Sequence, residues 1–352
     1  MRLPHLCAVM PIRYTLSAFF SFILLAFLAS CDKKEKAITL PPAGSARFGR
    51  VDMGKDYDTM IYYDYERNAI VKTSLLNSWD IAFESSPEGR HAILNGGLNM
   101  QVLNTHASSF KDVKAVPAAA QLSDWHIDSP DGDPAGTGIG DWVDANGLSK
   151  GDVYIVVTGT LGSPASKLRK LKLLSVSAQQ YLVQYGDMAD TAGTTVTIPK
   201  VAACNYSYLS FKTGNVSPEP PKDTWDVVFT YYKELIYNPT SKLNDFPYVV
   251  SGVLLNPTGT AAAGDSTLGY AAINLDIAQT LPASAKRNTI GYDWKAYSGI
   301  GSVTAGIYTV NPRRVYILHS RNGHLIKLHF LDFYSPVTST KGSPSFESEV
   351  IL

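Results

Sequence analysis

A Trp-Asp signature occurs twice in this chain, each time heading the same ordered series of short motifs, and that repetition constrains the fold more than any other feature of its 352 residues. Trp79-Asp80-Ile81-Ala82-Phe83 returns as Trp225-Asp226-Val227-Val228-Phe229. Ile139-Gly140-Asp141-Trp142 returns, with one insertion, as Ile290-Gly291-Tyr292-Asp293-Trp294. Val153-Tyr154-Ile155 returns as Val315-Tyr316-Ile317, and Lys170-Leu171-Lys172-Leu173 as Lys327-Leu328-His329-Phe330. The stretch before each first Trp also matches, aromatic and alternating, from Tyr57 to Tyr65 and from Tyr206 to Phe211. Four motifs repeated in unchanged order predict two tandem copies, over 47–192 and 193–352.

The copies read as β structure. Short runs of Val, Ile, Thr and Tyr are bounded by Gly, Asn, Asp and Pro, and sustained helical periodicity is scarce. The expectation is a mainly β fold of two antiparallel β-rich modules with few short helices. On a strand, side chains alternate between faces, so Trp and the Phe four residues later should share one face and Asp should take the other. Trp79 with Phe83, and Trp225 with Phe229, are therefore expected as core anchors, as are Trp142 and Trp294. Asp80 and Asp226 are expected to accept hydrogen bonds from nearby amides.

The N-terminus carries an address. Arg2 and Arg13 precede an apolar run from Leu16 to Leu28, followed by Ala29-Ser30-Cys31 and a charged stretch. A basic start, a short apolar core and small residues before a cut are the parts of a secretory signal. The run is shorter than the ~20 residues that a spanning helix needs. Leu28-Ala29-Ser30-Cys31 resembles a bacterial lipobox, whose Cys is diacylated and becomes the new N-terminus. The expectation is a signal peptide over 1–30, lipidation at Cys31, a tether over 31–46, and a cell-envelope location, at the outer membrane.

Composition narrows the partners. The chain holds 31 basic and 31 acidic residues, and loss of the signal removes Arg2 and Arg13, so no basic footprint for nucleic acid exists. Cys7 leaves with the signal and Cys31 is the lipid site, so Cys204 has no partner within the mature chain for a disulfide. Stability must then come from a buried core.

The C-terminal copy resembles the HmuY family of lipid-anchored, β-rich proteins. The resemblance rests on Trp225-Asp226-Val227-Val228-Phe229, Ile290-Gly291-Tyr292-Asp293-Trp294-Lys295, Val315-Tyr316-Ile317, Gly323-His324-Leu325-Ile326-Lys327-Leu328-His329-Phe330 and Lys341-Gly342-Ser343-Pro344-Ser345-Phe346-Glu347. It implies a binding protein, not an enzyme: haem captured for uptake and passed to an outer-membrane transporter, with iron ligands, His or Met, between the first Trp motif and the Gly-x-Asp-Trp motif. In the second copy that interval, 226–289, contains neither residue, although it holds Tyr231, Tyr232, Tyr237, Tyr248 and Tyr270. In the first copy it contains His91, Met100, His106 and His126, which are the haem-ligand candidates.

Other constellations point less far. Asn322-Gly323 signals a two-residue hairpin that would put His319 and His324 on one face as a weak metal pair, with His329 on the other. Asp128-Ser129-Pro130-Asp131-Gly132-Asp133 lacks the full ligand pattern of a calcium loop and reads as a solvated turn. No His-Glu-x-x-His or Gly-x-Ser-x-Gly motif occurs. The readings in play are a haem-capturing envelope lipoprotein, a surface lipoprotein that kept the fold for protein or glycan contacts, and, least supported, a hydrolase with dispersed carboxylates.

Overall fold

The computed structural model describes residues 46–352 apart from 145–146, 165 and 300–305. The signal sequence, Cys31 and almost all of the tether therefore lie outside the described residues. Strands dominate, and the one α-helix among the described residues is Leu275–Thr280, whose first turn is capped by Asn274 accepting from the Ile277 amide at 3.0 Å. No described helix is long and apolar enough to cross a membrane.

Four large sheets build two cores. The first core lies between a six-stranded sheet, ordered Thr194–Pro199, Gln180–Asp187, Lys167–Val176, Val153–Thr158, Gln101–Asn104 and Trp125–His126, and a four-stranded one, ordered Gly214–Val216, Tyr206–Ser210, Ile81–Glu84 and Ala92–Leu94. It buries Phe83, Met100, Trp142, Tyr154 and Tyr181. The second lies between a five-stranded sheet, ordered Arg47–Arg50, Lys341–Val350, Leu325–Tyr334, Val315–His319 and Ala261–Asp265, and a four-stranded one, ordered Leu243–Leu255, Val227–Asn238, Thr59–Asp64 and Ala69–Leu75. It buries Phe229, Trp294, Tyr316, Phe330 and Phe346.

The sequence copies are not the structural halves. Strand Thr59–Asp64, from the first copy, pairs with Val227–Asn238 of the second, placing Tyr63 opposite Val227 and Ile61 opposite Phe229. Strand Tyr206–Ser210, from the second copy, pairs with Ile81–Glu84 of the first, placing Leu209 opposite Ile81 and Ser207 opposite Phe83. The N-terminal strand Arg47–Arg50 likewise runs against the C-terminal strand Lys341–Val350. Each repeat thus lends its leading arm to the other repeat's core.

The same contacts hold both arms. Asp226 accepts from the Tyr65 amide at 2.9 Å, and Asp80 accepts from the Phe211 amide at 2.7 Å. Tyr62 meets Trp225 edge-to-face at 4.9 Å between centroids, and Tyr208 meets Trp79 at 5.1 Å. Behind each Trp-Asp turn an Asn side chain donates to two carbonyls. Asn95 bonds those of Leu76 and Trp79, and Asn256 those of Lys222 and Trp225.

The expected sharing of a face by Trp and Phe does not hold. Regular pairing begins only at Ile81 and Val227, so the preceding Trp is free of the strand's alternation. Trp225 and Trp79 pack with Met60, Tyr62, Val228 and Leu254 in a cluster between the two four-stranded sheets. Phe83 and Phe229 point the other way, into the two cores. Trp142 and Trp294 do sit in the cores, with indole N–H groups donating to the carbonyls of Arg90 and Gly291.

In the second half, a buried charge cluster braces the arm. Arg321 donates to Asp64 at 2.9 Å and to Asp226 at 2.5 Å, and both carboxylates are inaccessible to solvent. This pull reshapes the hairpin that carries it. Ser320, not Arg321, faces His324, and Gly323 adopts a φ of +85°, the geometry of a three-residue loop closed by a glycine bulge. His319 consequently pairs with Leu325, one place from the expected register, so His319 and His324 fall on opposite faces.

Two outcomes follow from the exchange. Residues 193–352 expressed alone lack the arm that covers Val227 and Phe229 and should be molten or insoluble. Residues 79–221 contain both sheets of the first core and should give a cooperative denaturant transition by circular dichroism. Arg321→Met leaves two buried carboxylates uncompensated and should lower unfolding free energy by about 3–5 kcal/mol. A loss below about 1 kcal/mol would show that the cluster does not hold the arm.

Candidate functional site

The two four-stranded sheets use their inner faces for the cores, so alternation turns the intervening residues toward the seam between them. Met60 and Tyr62 come from one arm, Tyr206 and Tyr208 from the other, and Ala82, Val228 and Thr230 from the strands that receive them. Packing of these side chains leaves a cavity of about 140 Å³ that Trp79, Lys233 and Arg287 also line.

The polar groups on its wall are unevenly satisfied. Asp128 accepts from the Leu94 amide at 2.6 Å and the Gly138 amide at 2.7 Å. Dense packing around its carboxyl outweighs both bonds and the attraction of Lys233, and pushes its pKa up to about 7. Asp128 is thus a linchpin joining the 127–138 loop to the end of strand Ala92–Leu94, not the solvated turn residue expected. Asp131 and Asp133 do serve turns, accepting from Ser129 and from the Ala135 amide. Lys233, 6% exposed, donates to the Met100 carbonyl at 3.1 Å, and desolvation pulls its pKa down to about 8 despite Asp128. The Arg287 guanidinium lies 5.6 Å from the Tyr206 ring, and its Nε makes a long contact of 3.4 Å with the Leu255 carbonyl. The indole N–H groups of Trp79 and Trp225 are buried with no hydrogen-bond partner among the described residues.

The ligand candidates do not gather here. Of His91, Met100, His106 and His126, only Met100 lines the cavity, and its side chain is buried in the first core. His91 is held by Glu84 at 2.7 Å. Burial opposes ionisation of Glu84, but His91 and two amides overcome it and hold the carboxyl below its usual range. His106, at a φ of +55°, is exposed with Asp152 at 3.8 Å, and His126 is exposed on an edge strand opposite Val102. In the second half His324 pairs with Glu66 at 3.0 Å, while His329 stacks on Tyr270 and bonds Glu347. Among the described residues no three acidic, His or Cys side chains cluster as metal ligands.

The family model for HmuY protein matches this chain twice, over residues 56–197 and 202–347. The chain belongs to the HmuY family. No curated protein matches it. Among solved structures, apo PinO from Porphyromonas gingivitis is 12% identical, covering 88% of this chain and 99% of its own, with a TM-score of 0.30. A chain named as a lipoprotein of Bacteroides fragilis is 11% identical, with coverages of 90% and 96% and a TM-score of 0.24. One named as an HmuY-like heme binding protein of Bacteroides vulgatus is 10% identical, with coverages of 90% and 97% and a TM-score of 0.23.

Haem is the group that membership of this family implies, and the residues lining the cavity do not fit it well. A cavity of about 140 Å³ is close to the ~150 Å³ known to hold one benzene ring, far below a tetrapyrrole. Two axial ligands must approach opposite faces of one ring, and of the four candidates Met100 alone lines this cavity.

Asp128 supplies a pH test of this wall. Its folded pKa of about 7 lies above the ~3.9 of a free Asp, so between those values the folded state keeps a proton that the unfolded state has released. The stability it contributes is complete below about pH 4 and is lost as pH rises through about 7. Denaturant midpoints of Asp128→Asn measured from pH 4.5 to 7.5 should therefore fall less steeply than those of the parent. Parallel curves would contradict the assignment.

Proposed function

We propose that this chain is an envelope-anchored binding lipoprotein, without catalysis of its own, that holds a small guest in the cavity between its two four-stranded sheets. The observation that carries this reading is the cavity itself, an aromatic-walled space built from both exchanged arms and lined by Trp79, whose indole N–H has no hydrogen-bond partner among the described residues. HmuY membership supports a binding role, and the lipobox sequence ending at Cys31 supports attachment to a membrane by lipid, at the outer membrane on this reading. Placement of His91, Met100, His106 and His126 favours the branch in which the fold is kept without paired iron ligands over haem capture for a transporter.

Haemin titration separates the two branches. The soluble protein, begun after Cys31, should give no saturable six-coordinate Soret band, and His91→Ala, His106→Ala and His126→Ala should leave the spectrum as in the parent. A saturable six-coordinate band that weakens in one or two of these variants would replace the proposed branch with haem capture.

A further inference from the structure

Resting on the reading of the seam cavity as a guest site, we infer that its guest is a small aromatic carboxylate, with its ring among the arm tyrosines and its anionic group on Arg287 and Lys233. Size comes first. The cavity accommodates about one aromatic ring. Its apolar wall, Met60, Tyr62, Ala82, Tyr208 and Val228, offers ring faces and edges, and Tyr62 and Tyr208 are already committed to edge-to-face contact with the two seam tryptophans. A flat guest continues that aromatic packing, whereas a branched aliphatic guest does not.

Charge comes from counting donors and acceptors. The carboxylates near the wall are taken. Asp128 accepts from two amides, Glu84 from the Arg90 and His91 amides and the His91 ring, and Asp133 from the Ala135 amide. The donors are in surplus. Lys233 uses one of its three N–H groups, on the Met100 carbonyl. The terminal nitrogens of Arg287 have no hydrogen-bond or ion-pair partner among the described residues, and neither does the indole nitrogen of Trp79. A half-buried wall with two cations and an unpaired N–H favours a group that only accepts, and a carboxylate offers the fork that guanidinium recognises.

The test uses the soluble full-length mature protein with phenylacetate and its neutral isostere phenylacetamide, by calorimetry and saturation-transfer NMR. The acid is expected to bind saturably and at least about tenfold more tightly than the amide. Arg287→Met should abolish that preference, Arg287→Lys should retain part of it, and Ala82→Trp, which fills the cavity, should remove binding of both. Thermal melts of each variant confirm that it is folded. Equal binding of acid and amide, blocked by Ala82→Trp and indifferent to Arg287→Met, would overturn the anionic guest while leaving the cavity a binding site. Absence of saturable binding by both probes would overturn the inference, and a failure of the related neutral ring benzene as well would overturn the guest-site reading beneath it.

Discussion

Each Trp-Asp strand in this protein is incomplete until an arm from the other repeat is laid beside it, and the rest of the structure follows from that exchange. An unpaired strand edge next to Phe83 or Phe229 would expose both backbone groups and core. The arms remove the edge with ladder hydrogen bonds and then lock it, through the aspartates that receive the amides of Phe211 and Tyr65. A Tyr of each arm meets the Trp of the other repeat. The same local chemistry is thus used twice, in opposite senses.

This arrangement turns two sheets back to back and makes their outer faces a third apolar region. Two sheets of alternating side chains pack there without filling the space completely, because both arms end in bulky Tyr residues while Ala82 and Thr230 are small. Polar groups that enter the seam lose water, which accounts for the raised carboxyl of Asp128 and the lowered ammonium of Lys233. In the second half Arg321 on Asp64 and Asp226 offsets the cost of burial; in the first, Asp80 has no ion pair among the described residues, and burial raises its carboxyl despite the Phe211 amide.

Much of this was legible in the residues and some was not. The motif order revealed the repeat, and the short β-branched and aromatic runs revealed the strand content. What repetition cannot reveal is which copy an arm joins, because two equivalent edges accept equivalent arms. The Trp faces were misread because alternation holds only inside a ladder, and the ladder starts two residues later, at Ile81 and Val227. The Asn-Gly turn was misread because Arg321, drawn to two buried carboxylates, requires a longer loop. Asp128 looked like a loop residue among other acids; only its distant partners, the Leu94 and Gly138 amides, mark it as part of the cavity wall. Arg287 carried no local signal at all, since its role comes from facing the Tyr206 ring across the seam.

The most direct measurement of the exchange is a cross-link between the first and last strands. Phe48 lies opposite Glu347, one in the leading arm and the other near the C-terminus. With Cys204 replaced by Ser, the Phe48→Cys, Glu347→Cys double variant should oxidise to a disulfide within a monomer, seen as a gel shift reversed by reductant at unchanged native mass. A chain that forms no such bond, or forms it only between molecules, would contradict the view that the first arm completes the second core.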